Sequence, residues 1–307
     1  MEPEPLPLRR EANVVSLRAR RSRTRALLAS LRPRQWSKNL LVFAGIVFAA
    51  KLGDAARWGE AVAAFAAYCA ASSASYLWND VRDVESDRRH PIKRLRPIAR
   101  GELGARTAVV VAAALALLAL AVAGWLGIPS LLLMAAFLVG QGWYSLTLKH
   151  VVLVDVMAIG ALFVLRAAAG AEAVHVRISP WLLLCTALLA LFLALAKRRG
   201  ELVLVGAEEA PGRPVLSGYS LALVDQLVTV VAASTVIAYS LYTFTARDSK
   251  AMMATIPFVL FGVFRYLLLI HRHDAGEEPE LVLLNDVPIL LTVAGWVVTA
   301  AVILVAT

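Results

Sequence analysis

Long apolar stretches alternate with short polar ones along this chain, and most of the apolar stretches are as long as a bilayer is thick. A run of about 17 to 25 mostly apolar residues can cross the hydrocarbon core as a helix. Nine such segments follow in order, at about 38–52, 58–79, 105–127, 129–147, 151–171, 179–196, 218–245, 252–270 and 286–306. The first is short and the seventh long, so their edges are soft. The pattern predicts an all-α polytopic membrane protein with about nine transmembrane helices. It also divides the chain into a polar tail, residues 1–37, and one transmembrane domain, residues 38–307.

Composition agrees with that reading. Hydrophobic residues make up 60% of the 307, and the mean hydropathy of +0.70 is far too high for a soluble domain. The formal charge of +9 could suggest a nucleic-acid partner. Its distribution argues against one, because the cations cluster in alternate loops, as the positive-inside rule describes. Arg9, Arg10, Arg18, Arg20, Arg21, Arg23, Arg25, Arg32, Arg34 and Lys38 crowd the tail, and Lys197, Arg198, Arg199 and Arg213 follow the sixth span. The opposite loops hold only Lys51, Arg57, Arg177, Arg247 and Lys250, with Arg166 ambiguous. The tail should therefore be cytoplasmic and the C-terminus outside. No apolar signal-peptide core lies within the first 37 residues. The tail, with its prolines and arginines, reads as largely disordered, with an interfacial segment drawn to anionic headgroups. Cys69 and Cys185 lie inside apolar spans and read as packing residues, and the five histidines form no zinc-binding pattern.

Candidate chemistry concentrates where the second span ends. The stretch YLWNDVRDVESDRRHPIKRLRPIARG sets Asn79, Asp80, Asp83 and Asp87 beside Lys93, Arg94, Arg96 and Arg100. On a helix continuing from the span, the three aspartates at i, i+3 and i+7 would share one stripe and repel one another. Mg2+ favours such oxygen donors, keeps several waters and bridges to phosphates, so a Mg2+-diphosphate site is the natural reading. A solvated face paired with arginine is the structural alternative.

Further motifs each admit two readings. RPRQWSKN places Gln35 and Lys38 at headgroup level, as an interfacial anchor or as substrate contacts. WYSLTLKHVVLVDV brings Tyr144 and Lys149 to a short cytoplasmic turn and Asp155 into the fifth span, where an acid needs a partner and either accepts from Lys149 or helps hold the metal or sugar. Arg166, deeper in that span, either tops a polar cavity or snorkels to the far interface. Lys197, Arg198 and Arg199, with Glu201 orienting one of them, form an anion-attracting edge or simply set topology. Arg265 stands among apolar neighbours in GVFRYLLLIH.

The run Asn79-Asp80-x-x-Asp83-x-x-x-Asp87, followed by Arg96-Pro97-Ile98-Ala99-x-Gly101 and about nine helices, resembles the UbiA-type intramembrane prenyltransferase superfamily over most of the chain. Together with RPRQWSKNLLVFA, YSLTLKHVVLVDV, LALAKRRGEL, SLYTF and TIPFVLFGVFRY, it is similar more narrowly to the decaprenyl-phosphate phosphoribosyltransferase branch. The resemblance implies a UbiA-like bundle with a cytoplasmic-facing cavity in the plasma (inner) membrane, and it suggests a homotrimer. It implies transfer from 5-phosphoribosyl 1-diphosphate to polyprenyl (decaprenyl) phosphate, for cell-wall arabinan precursor synthesis. Mg2+ would be held by Asp80, Asp83 and Asp87, with Asn79 orienting the diphosphate. Lys93, Arg94, Arg96 and Arg100 would meet donor phosphates, and residues 197–199 or Lys38 the lipid phosphate. Ordinary members carry a second Asp-rich motif after the sixth span, where this chain has Lys197, Arg198, Arg199 and Glu201, with Glu208 and Glu209 farther on. Two alternatives remain open at this level: prenyl transfer to an aromatic or haem acceptor, and a transporter or scaffold for phosphorylated lipids.

Overall fold

A computed structural model describes residues 21–48, 53–90, 93–205, 214–245, 250–272 and 285–306. These residues form helices α1 (Arg23–Leu31), α2 (Ala44–Phe48), α3 (Ala55–Arg82), α4 (Val84–Arg89), α5 (Ala105–Leu126), α6 (Ile128–Leu146), α7 (Val154–Ala173), α8 (Pro180–Val205), α9 (Leu221–Thr245), α10 (Ile256–Arg272) and α11 (Val287–Ala306). No strand occurs among the described residues. Eight helices there are long and apolar enough to cross a membrane: α3 and α5 to α11. Many of their large apolar side chains face outward, including Val110, Leu117, Trp125, Leu132, Leu291 and Val302. That is the surface a lipid environment accepts and water does not.

The first predicted span takes a different form within the described residues. A 3-10 run, Pro33–Phe43, leads into the five-residue α2. Pro33 starts the run because its missing N–H costs nothing at a helix start. The segment presses against α7: a Cβ on Gly170 would lie 2.0 Å from the Val42 carbonyl oxygen, and one on Gly45 would lie 2.6 Å from Ala171 Cα. Only glycine admits backbones this close. Residues 49–52 lie outside the described set, as do Lys51, Glu208, Glu209, Arg213 and Arg247.

Residues 23–31 and 33–37 of the expected 1–37 tail are helical, and residues 1–20 lie outside the described set. Helix α1 starts at Ser22, whose hydroxyl accepts the Arg25 N–H, and it buries Ala26 among Ala74, Leu77, Ile98 and Ala108. Trp36 Nε1 donates to Ser73 Oγ, which in turn donates to the Leu31 carbonyl at 3.0 Å, tying this corner to α3.

Two apolar cores share α7. Val156 of α7 packs with Phe192, Leu195, Val224, Val228 and Tyr266, while Leu162, Ala169 and Ala173 pack with Tyr68, Met134 and Phe137. Chain reversals gather the C-terminal ends of α3, α6, α8 and α10 with the N-terminal ends of α7, α9 and α11. Contacts between these ends include Ser145 to Asn79, Lys149 to Asp83, Arg198 to Asp155 and Arg199 to the Ile270 carbonyl. All but one of the candidate site residues belong to this charged end or to the segments beside it; the exception, Arg166, lies deeper in α7.

Candidate active site

The aspartate stripe is broken. Helix α3 stops at Arg82, and Asp83 is its C-cap at φ −91° and ψ 11°, outside helical geometry. Asp87 then lies on the separate helix α4. The sequence expectation of one continuous helix fails at Asp83, whose non-helical backbone ends α3 and lets α4 start as a separate helix. The break also separates the carboxylates. Asp80 and Asp87, both buried, face one another across Arg96, whose Nη1 is 3.1 Å from Asp80 Oδ1 and 2.7 Å from Asp87 Oδ2. Arg32 reaches the same Asp80 oxygen with Nη2 at 2.5 Å, its guanidinium lying over the Tyr76 ring. Asp83 turns instead to Lys149, at 3.2 Å. Asn79 accepts the Ser145 hydroxyl proton.

Each carboxylate of the motif is therefore held by a cation from another segment: the α1 corner, the α4–α5 connection or the α6–α7 connection. Among the described residues, no three acidic, His or Cys side chains converge as a ready metal cage. The arrangement still fits Mg2+, which usually binds one or two carboxylates and completes its shell with water and phosphate. Arg96 Nη1 already places a positive centre between the Asp80 and Asp87 oxygens, and these are hard donors.

The rest of the basic loop divides. Arg100 pairs with the buried Glu102 at 3.3 Å, which also meets Arg21, so this ion pair braces the loop. Lys93 and the exposed Arg94 sit on a 3-10 turn, Lys93–Leu95. The Lys93 N–H donates to His90 Nδ1 at 3.3 Å. Burial and the neighbouring Lys93 lower the His90 pKa, keeping that ring neutral and able to accept. Gln35 and Lys38 are half-buried on the 3-10 run beside Arg32.

The second cluster differs from its sequence reading. Arg198 and Arg199 do not form an exposed anion-attracting edge, because both turn inward. Arg198 is fully buried, with Nε donating to Asp155 Oδ2 at 2.7 Å and Nη1 to Glu201. Arg199 bonds Asp225 at 2.8 Å and the Ile270 carbonyl at 2.7 Å. Glu201 does orient an arginine as expected, and Asp155 has a partner, but that partner is Arg198 and not Lys149. Lys197 is half-buried, and Tyr144 lies within electrostatic reach of Arg198. Arg166 is buried and does not snorkel outward: its Nε donates to Asn39 Oδ1 at 2.8 Å and Nη1 to the Leu162 carbonyl, between the Phe137 and Phe163 rings. Arg265 is paired with Asp286 at 2.9 Å, an internal bond that holds the Asp286 carboxyl below its ordinary pKa.

Sequence reasoning missed Arg32, Asn39, Ser145 and Tyr219 as site members. Arg32 was legible only as one of many tail cations. Tyr219 carried no signal at all, yet its hydroxyl donates to Asp155 Oδ1 at 2.6 Å. Burial and that carboxylate raise the Tyr219 pKa, so the phenol stays protonated.

Comparison with known proteins bears on this geometry. Residues 40–287 match the model of the UbiA prenyltransferase family. A decaprenyl-phosphate phosphoribosyltransferase of Mycolicibacterium smegmatis is 35% identical over 289 residues, covering 89% of this chain and 90% of that one. The protein of the same name from Mycobacterium tuberculosis is 36% identical over 284 residues, covering 89% and 92%. Among solved structures, a UbiA homolog from Archaeoglobus fulgidus bound to DMAPP and Mg2+ superposes with a TM-score of 0.72 at 20% identity, covering 92% of this chain and 100% of that one.

Proposed function

The chain belongs to the UbiA prenyltransferase family, and from that premise we propose that it moves a 5-phosphoribosyl group from 5-phosphoribosyl 1-diphosphate to a polyprenyl phosphate. The products are polyprenylphosphoryl 5-phosphoribose and diphosphate, as the decaprenyl-phosphate phosphoribosyltransferase names of its relatives suggest. The observation that carries this reading is the asymmetry of the charged end. One edge offers Asp80, Asp83 and Asp87 with exchangeable cations a quarter exposed to solvent, whereas the acids of the other edge, Asp155 and Glu201, are tied to the buried Arg198. A single acidic edge suits one diphosphate, brought by the soluble donor. The acceptor then needs to bring only a monophosphate.

Asp80 and Asp87 would hold Mg2+, with Asp83 as the third carboxylate of the set; when bound, the ion supplies neutralisation of the leaving diphosphate. Arg32, Arg96 and Lys149 lie against those carboxylates and are placed to turn to phosphate oxygens once the donor arrives. Asn79, fixed by Ser145, orients the diphosphate. A lipid phosphate oxygen attacks the anomeric carbon, the carbon–oxygen bond to diphosphate breaks, and its electron pair leaves with diphosphate. The positive charge that develops at the sugar is stabilised by positioning and by fixed charges. A phosphate monoester has a second pKa of about 6, so the nucleophile is already ionised and no strong base is required. Arg198 and Arg199 are held inside the bundle by Asp155 and Asp225, and the half-buried Lys38 and Lys197 are the residues assigned to the lipid phosphate in this reading.

In this reading residues 38–307 form the catalytic unit, the charged end and N-terminus face the cytoplasm, the C-terminus lies outside the plasma (inner) membrane, and the homotrimer rests on the resemblance alone. Detergent-purified protein given labelled phosphoribosyl diphosphate, Mg2+ and polyprenyl monophosphate should yield a labelled lipid. A prenyl diphosphate with an aromatic acceptor should yield nothing. The reverse pattern would assign the chain to aromatic prenylation instead.

A further inference from the structure

The connection that carries Lys149 to Asp83 contains a strained residue. Leu153, immediately before α7, sits at φ 66° and ψ −39°, a conformation that a leucine side chain resists. The Leu153 N–H donates to Tyr219 Oη at 2.8 Å, and that hydroxyl donates in turn to Asp155 Oδ1 at 2.6 Å. Asp155 is fully buried, and its other oxygen takes Arg198 Nε. Tyr219 is itself 2% exposed and follows a 3-10 turn, Pro214–Gly218, that packs directly on the same connection. A Cβ on Gly218 would stand 2.4 Å from Val152 Cγ2, so the Val152 side chain of the connection seats directly on the Gly218 backbone.

The structure assigns Tyr219 as a positioning residue that clamps the α6–α7 connection and thereby sets Lys149 against the aspartate edge. This rests on the reading of the site given above. Tyr219 touches no reacting atom in that reading. It acts through the backbone of Leu153, four residues from Lys149, and through Asp155, which anchors the first turn of α7. The clamp joins the half of the molecule that holds Asp83 to the half that holds Arg198.

The strain provides the test, because glycine adopts a positive φ without the cost leucine incurs. Tyr219→Phe should raise the KM for phosphoribosyl diphosphate by about tenfold, since small misplacements of a positioning group are costly. Adding Leu153→Gly to that variant should return the KM to within about threefold of the unmodified protein, whereas Leu153→Gly alone should leave it nearly unchanged. A merely structural loss at Asp155 would not respond to glycine. The inference is overturned if Tyr219→Phe leaves the KM unchanged, or if it raises the KM and glycine fails to restore it. Should Tyr219→Phe alone not survive extraction, the double variant decides: it must fold and show a near-normal KM. Absence of labelled product from the unmodified protein would count against the proposed reaction, whereas these comparisons presuppose that product.

Discussion

Asp80→Asn should lower kcat/KM for phosphoribosyl transfer by about 10²–10³-fold, the cost typical of deleting one preorganised charge-stabilising group at a reacting centre. The side chain keeps its size and one acceptor oxygen, so the loss reports charge. Stability should change much less. Arg96 keeps Asp87 at 2.7 Å, and Arg32 keeps the Tyr76 face. Arg32 and Arg96 are also about a quarter exposed, so water can compensate the charge left behind. A thermal midpoint in detergent close to that of the unmodified protein, together with the kinetic loss, is the expected pair of readings. Equal losses of folding and activity would make Asp80 a structural ion-pair partner.

Arg198→Leu should have the opposite profile, with the largest stability loss among single changes at the charged end. Its guanidinium is fully buried between Asp155 and Glu201, and Asp155 is fully buried too. Removing one partner of a buried pair leaves an uncompensated charge and costs about 3–5 kcal/mol. Neutralising Asp155 in the same chain, as Arg198→Leu/Asp155→Asn, should recover about 1–2 kcal/mol, because the residues act as one unit. Denaturation in mixed micelles reads both values. Additive losses in the double variant would show that Arg198 is not balancing Asp155.

The bundle was largely legible in the sequence because the bilayer imposes one length on every span, and α5 and α11 are apolar nearly throughout. The segment at 38–52 misled because apolar content does not reveal that Gly45 and Gly170 bring it against α7 in a tighter conformation. At the site, residue types were legible but pairings were not. Asp83 looked equivalent to its neighbours, since no propensity marks the place where α3 ends and the stripe breaks. Arg198 and Arg199 read as surface cations because their partners, Asp155 and Asp225, are 43 and 26 residues away. Arg32 was hidden among tail arginines, although the residue before a proline cannot easily continue a helix. It sits at φ 52° and ψ 60°, ending α1 and reaching Asp80.

The decisive measurement is the position of Mn2+, substituted for Mg2+ and located by its anomalous scattering in crystals grown with phosphoribosyl diphosphate. The expected peak lies at coordinating distance from the Asp80 and Asp87 carboxylates, with Arg96 moved off them toward the diphosphate. A peak beside Asp155 and Glu201, with Arg96 still bridging Asp80 and Asp87, would contradict the assignment of the donor to the aspartate edge.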